Sequence, residues 1–270
     1  MKTMYRSKWK GLFSQAILII LLFFLSLNSR ASSEGKRDYY ELKIYHISQK
    51  SQEARVDAYL KDVFIPALHR AGVKSVGVFK PVEADTAYGK LIYVFIPFKY
   101  IDEFTKLPDL LLKDKVYPEA SKSFTDAPFN DPPYTREECI LLKAFKNMPH
   151  FEIPAYSTSP AERIFELRSY ESATEAKAIK KIEMFNDGGE ISLFASLKFN
   201  AVFFGEVLSG SHMPNLIYMT SFSDMKAHDE HWKEFGSSSE WKRLSGLEEF
   251  KNTVSKANPY LLHPASYSDF

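Results

Sequence analysis

Cysteine is almost missing from this chain: Cys139 is the only one in 270 residues. No disulfide within the chain is available, so stability in an oxidising compartment must come from the core. Within "REECILLKAF" the alternation puts Cys139 on the same strand face as Leu141, where a buried small hydrophobe is expected in preference to a reactive thiol. Basic excess is missing as well. The 35 Lys and Arg against 34 Asp and Glu give a net charge of +1, and no basic cluster occurs beyond the first 31 residues, which excludes the electrostatic footprint of a nucleic-acid binder. The chain also lacks a Gly-x-Ser-x-Gly elbow, a phosphate-binding loop of the Walker type and a dinucleotide-binding glycine motif. "NDGGE" at 186–190 follows a helical pattern instead of opening one, so its glycines read as a helix break.

Only one long hydrophobic run is present, from Leu12 to Leu27, preceded by Lys2, Arg6, Lys8 and Lys10 and followed by Ser29 and Ala31. A basic start, an apolar middle and small residues at the end make residues 1–31 a signal peptide, and the run is shorter and more interrupted than a spanning helix requires. Cleavage after Ala31 leaves 30 basic against 34 acidic side chains, a net charge of −4. Export to the periplasm or the cell exterior is expected, with no membrane attachment once the leader is removed. Hydrophobic residues make up 45% and aromatics 15% of the chain, enough for a sizeable core.

The rest of the chain is written twice. "YYELKIY" at 39–45 returns as "IFELRSY" at 164–170, "LIY" at 91–93 as "LIY" at 216–218, and each half closes on a strand-like tail ending in Phe145 or Phe270. Within the first half, a strand from residue 39 is followed by a helical pattern that includes Val56, Leu60 and Phe64 and stops at Gly72, with Pro66 expected to kink its last turn. Two β-rich runs, "SVGVFKPV" and "GKLIYVFIPF", come next; then a helical stretch broken at Pro108 and Pro118, and the strand around Cys139. The second half repeats this order, its first helix entered by a capping box from Ser172 to Glu175. A βαββαβ unit is the ferredoxin-like motif, with both helices on one face of an antiparallel sheet. The fold class is therefore α+β: two such repeats, 39–146 and 163–270, joined by the Pro-rich linker 147–162 and closed face to face into a pseudo-dimeric α+β barrel within one chain.

On the repeated strand, Tyr40, Leu42 and Ile44 are assigned to the helix-covered face. Glu41, Lys43 and Tyr45, with Glu166, Arg168 and Tyr170 in the second copy, are assigned to the face that points into the barrel. A polar set enclosed in this way, with help from Glu206 and Tyr218, is expected to bind a small molecule. The alternative is a solvated face. The stretch "FFGEVLSGSHMPNLIYM" supplies candidate catalytic residues: Glu206 and His212 as an acid/base pair and Asn215 as an oxyanion donor, provided the fold converges them. His228 and His231 in "SDMKAHDEHWKEF" do not have metal-site spacing, His228 lies on the apolar stripe with Trp232, and no metal site is assigned.

The stretches "FELRSYESATEAKAIKKIEMFNDGGEISLF", "VFFGEVLSGSHMPNLIYMTSF" and "EWKRLSGLEEFKNTVSKANPYLLHPASYSDF" resemble the NIPSNAP family, in a layout similar to its secreted bacterial members with a leader and two related halves. The resemblance is strongest from Arg163 to Phe270 and weaker over Tyr39 to Phe145. It implies the dimeric α+β barrel fold and supplies no activity, cofactor or catalytic residue. The expectation is an exported protein that binds a small polar or aromatic molecule in the barrel interior. A cofactor-independent oxygenase or isomerase, and a module that presents its outer helices to a partner, are the alternatives. A one-chain barrel is compatible with a monomer or a homodimer.

Overall fold

In the computed structural model, residues 36–270 are described, and the expected signal peptide lies outside them. Chain order is β1 (Tyr39–His46), α1 (Lys50–Tyr59), a π-helical turn (Leu60–Phe64), α2 (Ile65–Arg70), β2 (Gly77–Pro81), β3 (Leu91–Phe98), α3 (Ile101–Lys113), two short helices α4 (Tyr117–Ala120) and α5 (Lys122–Thr125), and β4 (Arg136–Ala144). The second half follows as β5 (Ile164–Glu171), α6 (Glu175–Asn186), α7 (Glu190–Ser196), β6 (Asn200–Ser209), β7 (Asn215–Phe222), α8 (Met225–Ser237), α9 (Ser239–Gly246) and β8 (Lys256–Pro264). Among the described residues no helix is long and apolar enough to cross a membrane.

Each half lays its strands in the order fourth, first, third, second. The two four-stranded sheets join edge to edge, β2 with β8 and β4 with β6, into a closed eight-stranded antiparallel barrel. Both expected βαββαβ units are there. Pro66 is accommodated not by a kink in the last turn but by the π-helical turn before it, as expected where a proline removes an amide donor and crowds the preceding carbonyl. Gly72 ends this helix at φ 101° and Gly189 opens α7 at φ 92°, backbone positions where a side chain would be strained. The cap of α6 is Thr174, whose hydroxyl accepts from the Lys177 amide, and not Ser172, which donates to the Thr253 carbonyl.

The orientation of the repeated strand is the reverse of the sequence expectation. Tyr40, Leu42 and Ile44 point into the barrel, packed in one cluster with Phe79, Phe95, Phe165 and Phe203. Glu41, Lys43, Tyr45, Glu166, Arg168 and Tyr170 point outward, beneath the helices. The physical reason is space. Closing eight strands leaves an interior that side chains must fill, and here rings fill it: Phe95 stacks on Phe203 at 4.7 Å and Tyr40 lies 5.0 Å and 5.3 Å from the two. No charged set could be desolvated there without large cost. One end is plugged by the linker residue Phe151 and the carboxy-terminal Phe270, which stack on each other and meet Phe95 edge-on.

The closing register also corrects part of the repeat. Lys43 pairs with Val94 while Arg168 pairs with Tyr218, so the "LIY" copies are one residue out of structural register. Tyr93 accordingly points inward and Tyr218 outward. Cys139 is exposed, not buried. Its thiol donates to Glu41 Oε1 at 3.3 Å, and desolvation together with the Glu41 charge pushes its pKa up to about 12.

Because Phe270 is only 6% exposed, Phe270→Ala is expected to reduce unfolding free energy in urea by an amount at the lower end of the roughly 3–5 kcal/mol typical of Phe→Ala in cores. A loss below about 0.5 kcal/mol, the range of ordinary surface substitutions, would mean the plug contributes nothing.

Candidate functional site

The outward polar residues of β5 and β7 meet the second-half helices in a cluster organised by Glu166. This carboxylate is buried at 3% exposure, a costly position that requires partners. It has three. Its Oε1 accepts from Arg168 Nη1 at 3.1 Å, its Oε2 accepts from the Trp232 indole at 2.5 Å, and His228 Nε2 stands 3.4 Å from Oε2 without the alignment of a hydrogen bond. Trp232 and His228 both come from α8, one turn apart on the face that covers the sheet. The Arg168 guanidinium lies 4.3 Å from the Trp232 ring centre and 5.6 Å from that of Tyr170, a cation–π arrangement that holds it flat against the aromatic wall.

A second ion pair lies close by. Lys181 of α6 and Glu190 of α7 are both buried, 2.7 Å apart. Lys181 Nζ is 4.6 Å from the Phe185 ring centre and 5.7 Å from those of Tyr170 and Trp241. Burial raises the Glu190 pKa, and the neighbouring Lys181 and Arg168 charges oppose that rise. Between the two pairs the hydroxyls of Tyr170 and Tyr218 meet at 3.0 Å. Burial keeps both phenols above the ordinary tyrosine value, so both remain protonated.

These groups line an open cleft of about 280 Å³ between the sheet and helices α6 to α9. Its walls are Tyr170, Tyr218, Phe194, Phe235, Trp232 and Trp241, with Arg168 and Lys181 as the cations. Arg168 Nε is buried with no hydrogen-bond partner, a donor left unmade at a cost of about 1–3 kcal/mol. The chemistry available is recognition of a flat apolar body by the rings and of an acidic or anionic oxygen by Arg168.

Of the residues expected from sequence, Glu166, Arg168, Tyr170 and Tyr218 come together here, outside the barrel. Glu41, Lys43 and Tyr45 form the counterpart in the first half, where Lys43 bridges Glu41 at 3.3 Å and Glu137 at 2.5 Å. There the space beside Tyr45 is taken by Phe124 and Tyr134. The proposed catalytic trio is not assembled. Glu206 pairs with Leu216 on the outer face, whereas Asn215 is on the inner face, exchanging hydrogen bonds with Ser169. His212 is an exposed turn residue, 3.5 Å from Glu171. None of the three lines the cleft. His228, Trp232, Lys181, Glu190 and Trp241 were missed as site residues. For Lys181 a signal exists: it shares a helical face with Ala178 and Phe185, a lysine in an apolar row.

His228 carries a testable consequence. Burial lowers its pKa, but Glu166 and Asp229 outweigh that and raise it above the ordinary histidine value. Proton uptake is then favoured in the folded state, so the stabilisation is complete below the unfolded-state pKa and is lost as pH rises through the folded one. Denaturant titrations of the wild type should therefore show stability falling across that interval, near and above neutrality, and His228→Gln should remove this component of the slope. An unchanged slope in the variant would contradict the contact.

Comparison with known proteins places this geometry. Residues 165–269 match the NIPSNAP family profile. No curated protein matches the chain. Among solved structures it is similar to a protein from Lactobacillus acidophilus provisionally assigned as a monooxygenase, at 13% identity and TM-score 0.52, covering 84% of this chain and 94% of that one. It is also similar to an anthrone oxidase-like protein, at 9% identity and TM-score 0.51, covering 86% and 93%. A further provisional monooxygenase, from Fusobacterium nucleatum, aligns at 8% identity and TM-score 0.52, covering 84% and 92%. At such identities the likeness is one of fold. The barrel is thus of the dimeric α+β type closed within a single chain, and its second repeat, which carries the cleft, is a domain of the NIPSNAP family.

Proposed function

We propose that this protein binds a small aromatic molecule bearing an acidic oxygen, in the cleft between the sheet and the helices of its second half. The observation that carries the reading is the buried, unpartnered Nε of Arg168 in a cavity walled by aromatic rings. Glu166 fixes the guanidinium from behind, so its remaining donor is oriented before a ligand arrives and less ordering cost falls on binding. The Tyr170 and Tyr218 hydroxyls add donors along the same wall. The barrel interior expected to hold the ligand is filled by rings, and the cleft takes over that role.

An oxygenase acting on such a ligand is the second reading. It draws on the paired phenols beside Arg168, able to hand a proton to or from a bound oxygen, and on the names of the similar structures. Export, supported by residues 1–31, belongs to the same proposal, and the intact mass of protein recovered from the expressing cell, with or without those residues, tests it.

The cleft contains its own reporter. The chain's three tryptophans are Trp9, in the leader, and Trp232 and Trp241, both in the cleft wall. Titration with a panel of hydroxylated and carboxylated aromatics should quench tryptophan emission saturably, and Arg168→Gln should weaken the best binder by tenfold or more while leaving thermal unfolding cooperative. No saturable quenching across the panel, or equal affinity in the variant, would overturn the assignment. Oxygen-dependent loss of the bound compound, abolished in Tyr218→Phe, would favour the oxygenase reading over simple binding.

A further inference from the structure

The largest cavity lies in the other half. It measures about 500 Å³, within the range of about 300–1,000 Å³ usual for small-molecule pockets, and sits between the segment that follows α2, the end of β3 and helix α3. Its surface is mainly apolar, supplied by Val73, Pro97, Phe98, Leu107, Leu110 and Phe151. Phe98 and Leu107 are buried, while Leu110 is 47% exposed at the mouth. The rings that dominate the second-half cleft are scarce here. An aliphatic body fits these walls better than a flat aromatic one.

The rim is not charge-neutral once existing partners are counted. Asp38 is engaged by His150 Nδ1 at 3.0 Å, Asp102 by Lys106 at 2.7 Å, and Glu103 accepts from the Lys99 backbone amide at 2.7 Å as part of the α3 cap. Lys74 and Lys99, both exposed, have no ion-pair partner for their ammonium groups among the described residues. Two uncompensated cations therefore stand at the edge of a greasy pocket whose carboxylates are already in use. That pattern selects an apolar tail with an anionic head.

We propose that this first-half cavity is a second binding site, distinct from the aromatic cleft, for an aliphatic carboxylate of the medium-chain fatty-acid class. The chain lies along Phe98 and Leu107, and the carboxylate rests between Lys74 and Lys99. Phe151 lines this cavity and also belongs to the barrel plug, so the bound chain touches the barrel end directly.

The test is isothermal titration calorimetry on the full chain with decanoate and with decyltrimethylammonium, both below their micelle concentrations. Saturable one-to-one binding of decanoate, at least tenfold tighter than that of the cation, is expected. Lys74→Gln/Lys99→Gln should weaken decanoate at least tenfold, and because both lysines are exposed the variant should keep the wild-type melting temperature. Arg168→Gln should leave decanoate binding unchanged, which separates this site from the cleft. Absence of decanoate binding, equal affinity for the cationic amphiphile, an undiminished affinity in the lysine variant, or loss of binding in Arg168→Gln would each overturn the proposal.

Discussion

Edge pairing between the two repeats is the constraint on which the rest of this structure depends. Each half alone exposes two sheet edges and a bare face, a liability for any sheet. Pairing β2 with β8 and β4 with β6 removes all four edges at once and encloses the bare faces. The enclosed volume then has to be filled at the density of a protein interior. Tyr40, Phe79, Phe95, Phe165 and Phe203 fill it, with Phe151 and Phe270 across one end. Once the interior belongs to rings, polar residues of the same strands have only the outer face left, and they are buried there a second time by the helices. Glu41 and Glu166, 5% and 3% exposed, are carboxylates in that sandwiched layer.

Both halves inherit this layer, and they use it differently. In the first, Glu41, Lys43, Glu137 and Cys139 satisfy one another, Val94 stands where the second half has Tyr218, and Phe124 and Tyr134 close over Tyr45. In the second, the wider rings of Trp232 and Trp241 hold the helices off the sheet and leave a cleft with two cations in its wall. Duplication gave one chain two equivalent layers. Divergence has filled one and opened the other, and the first half offers its larger cavity elsewhere, at the opposite side of α3 from the packed tyrosines.

Much of this was legible from residues alone. The repeated heptad identifies β1 and β5, the alternation and helical patterns recover both βαββαβ units, and Gly188 and Gly189 mark the break between α6 and α7. What alternation cannot tell is which face turns inward when both faces are buried. In "YYELKIY" each face carries apolar bulk, Tyr40, Leu42 and Ile44 on one and Tyr45 on the other, so the period identifies a strand without identifying its inside. The site residues followed the same logic. Glu166, Arg168 and Tyr170 were recognisable as an unusual set, but their partners Trp232, His228 and Lys181 come from helices that only tertiary packing brings over the strand. Glu206, His212 and Asn215 drew attention as polar residues crowded in one turn, and the fold disperses them to an outer face, a solvent-exposed loop and the barrel end.

The central claim is that binding takes place outside a solid barrel, under the second-half helices. The most direct measurement is crystallographic soaking with small aromatic acids and phenols, followed by difference density over the whole chain. The account predicts density between Trp232 and Tyr170 with an oxygen within hydrogen-bond distance of Arg168 Nε, and none among Tyr40, Phe95 and Phe203. Density inside the barrel, or an empty cleft in crystals soaked to saturation, would contradict it.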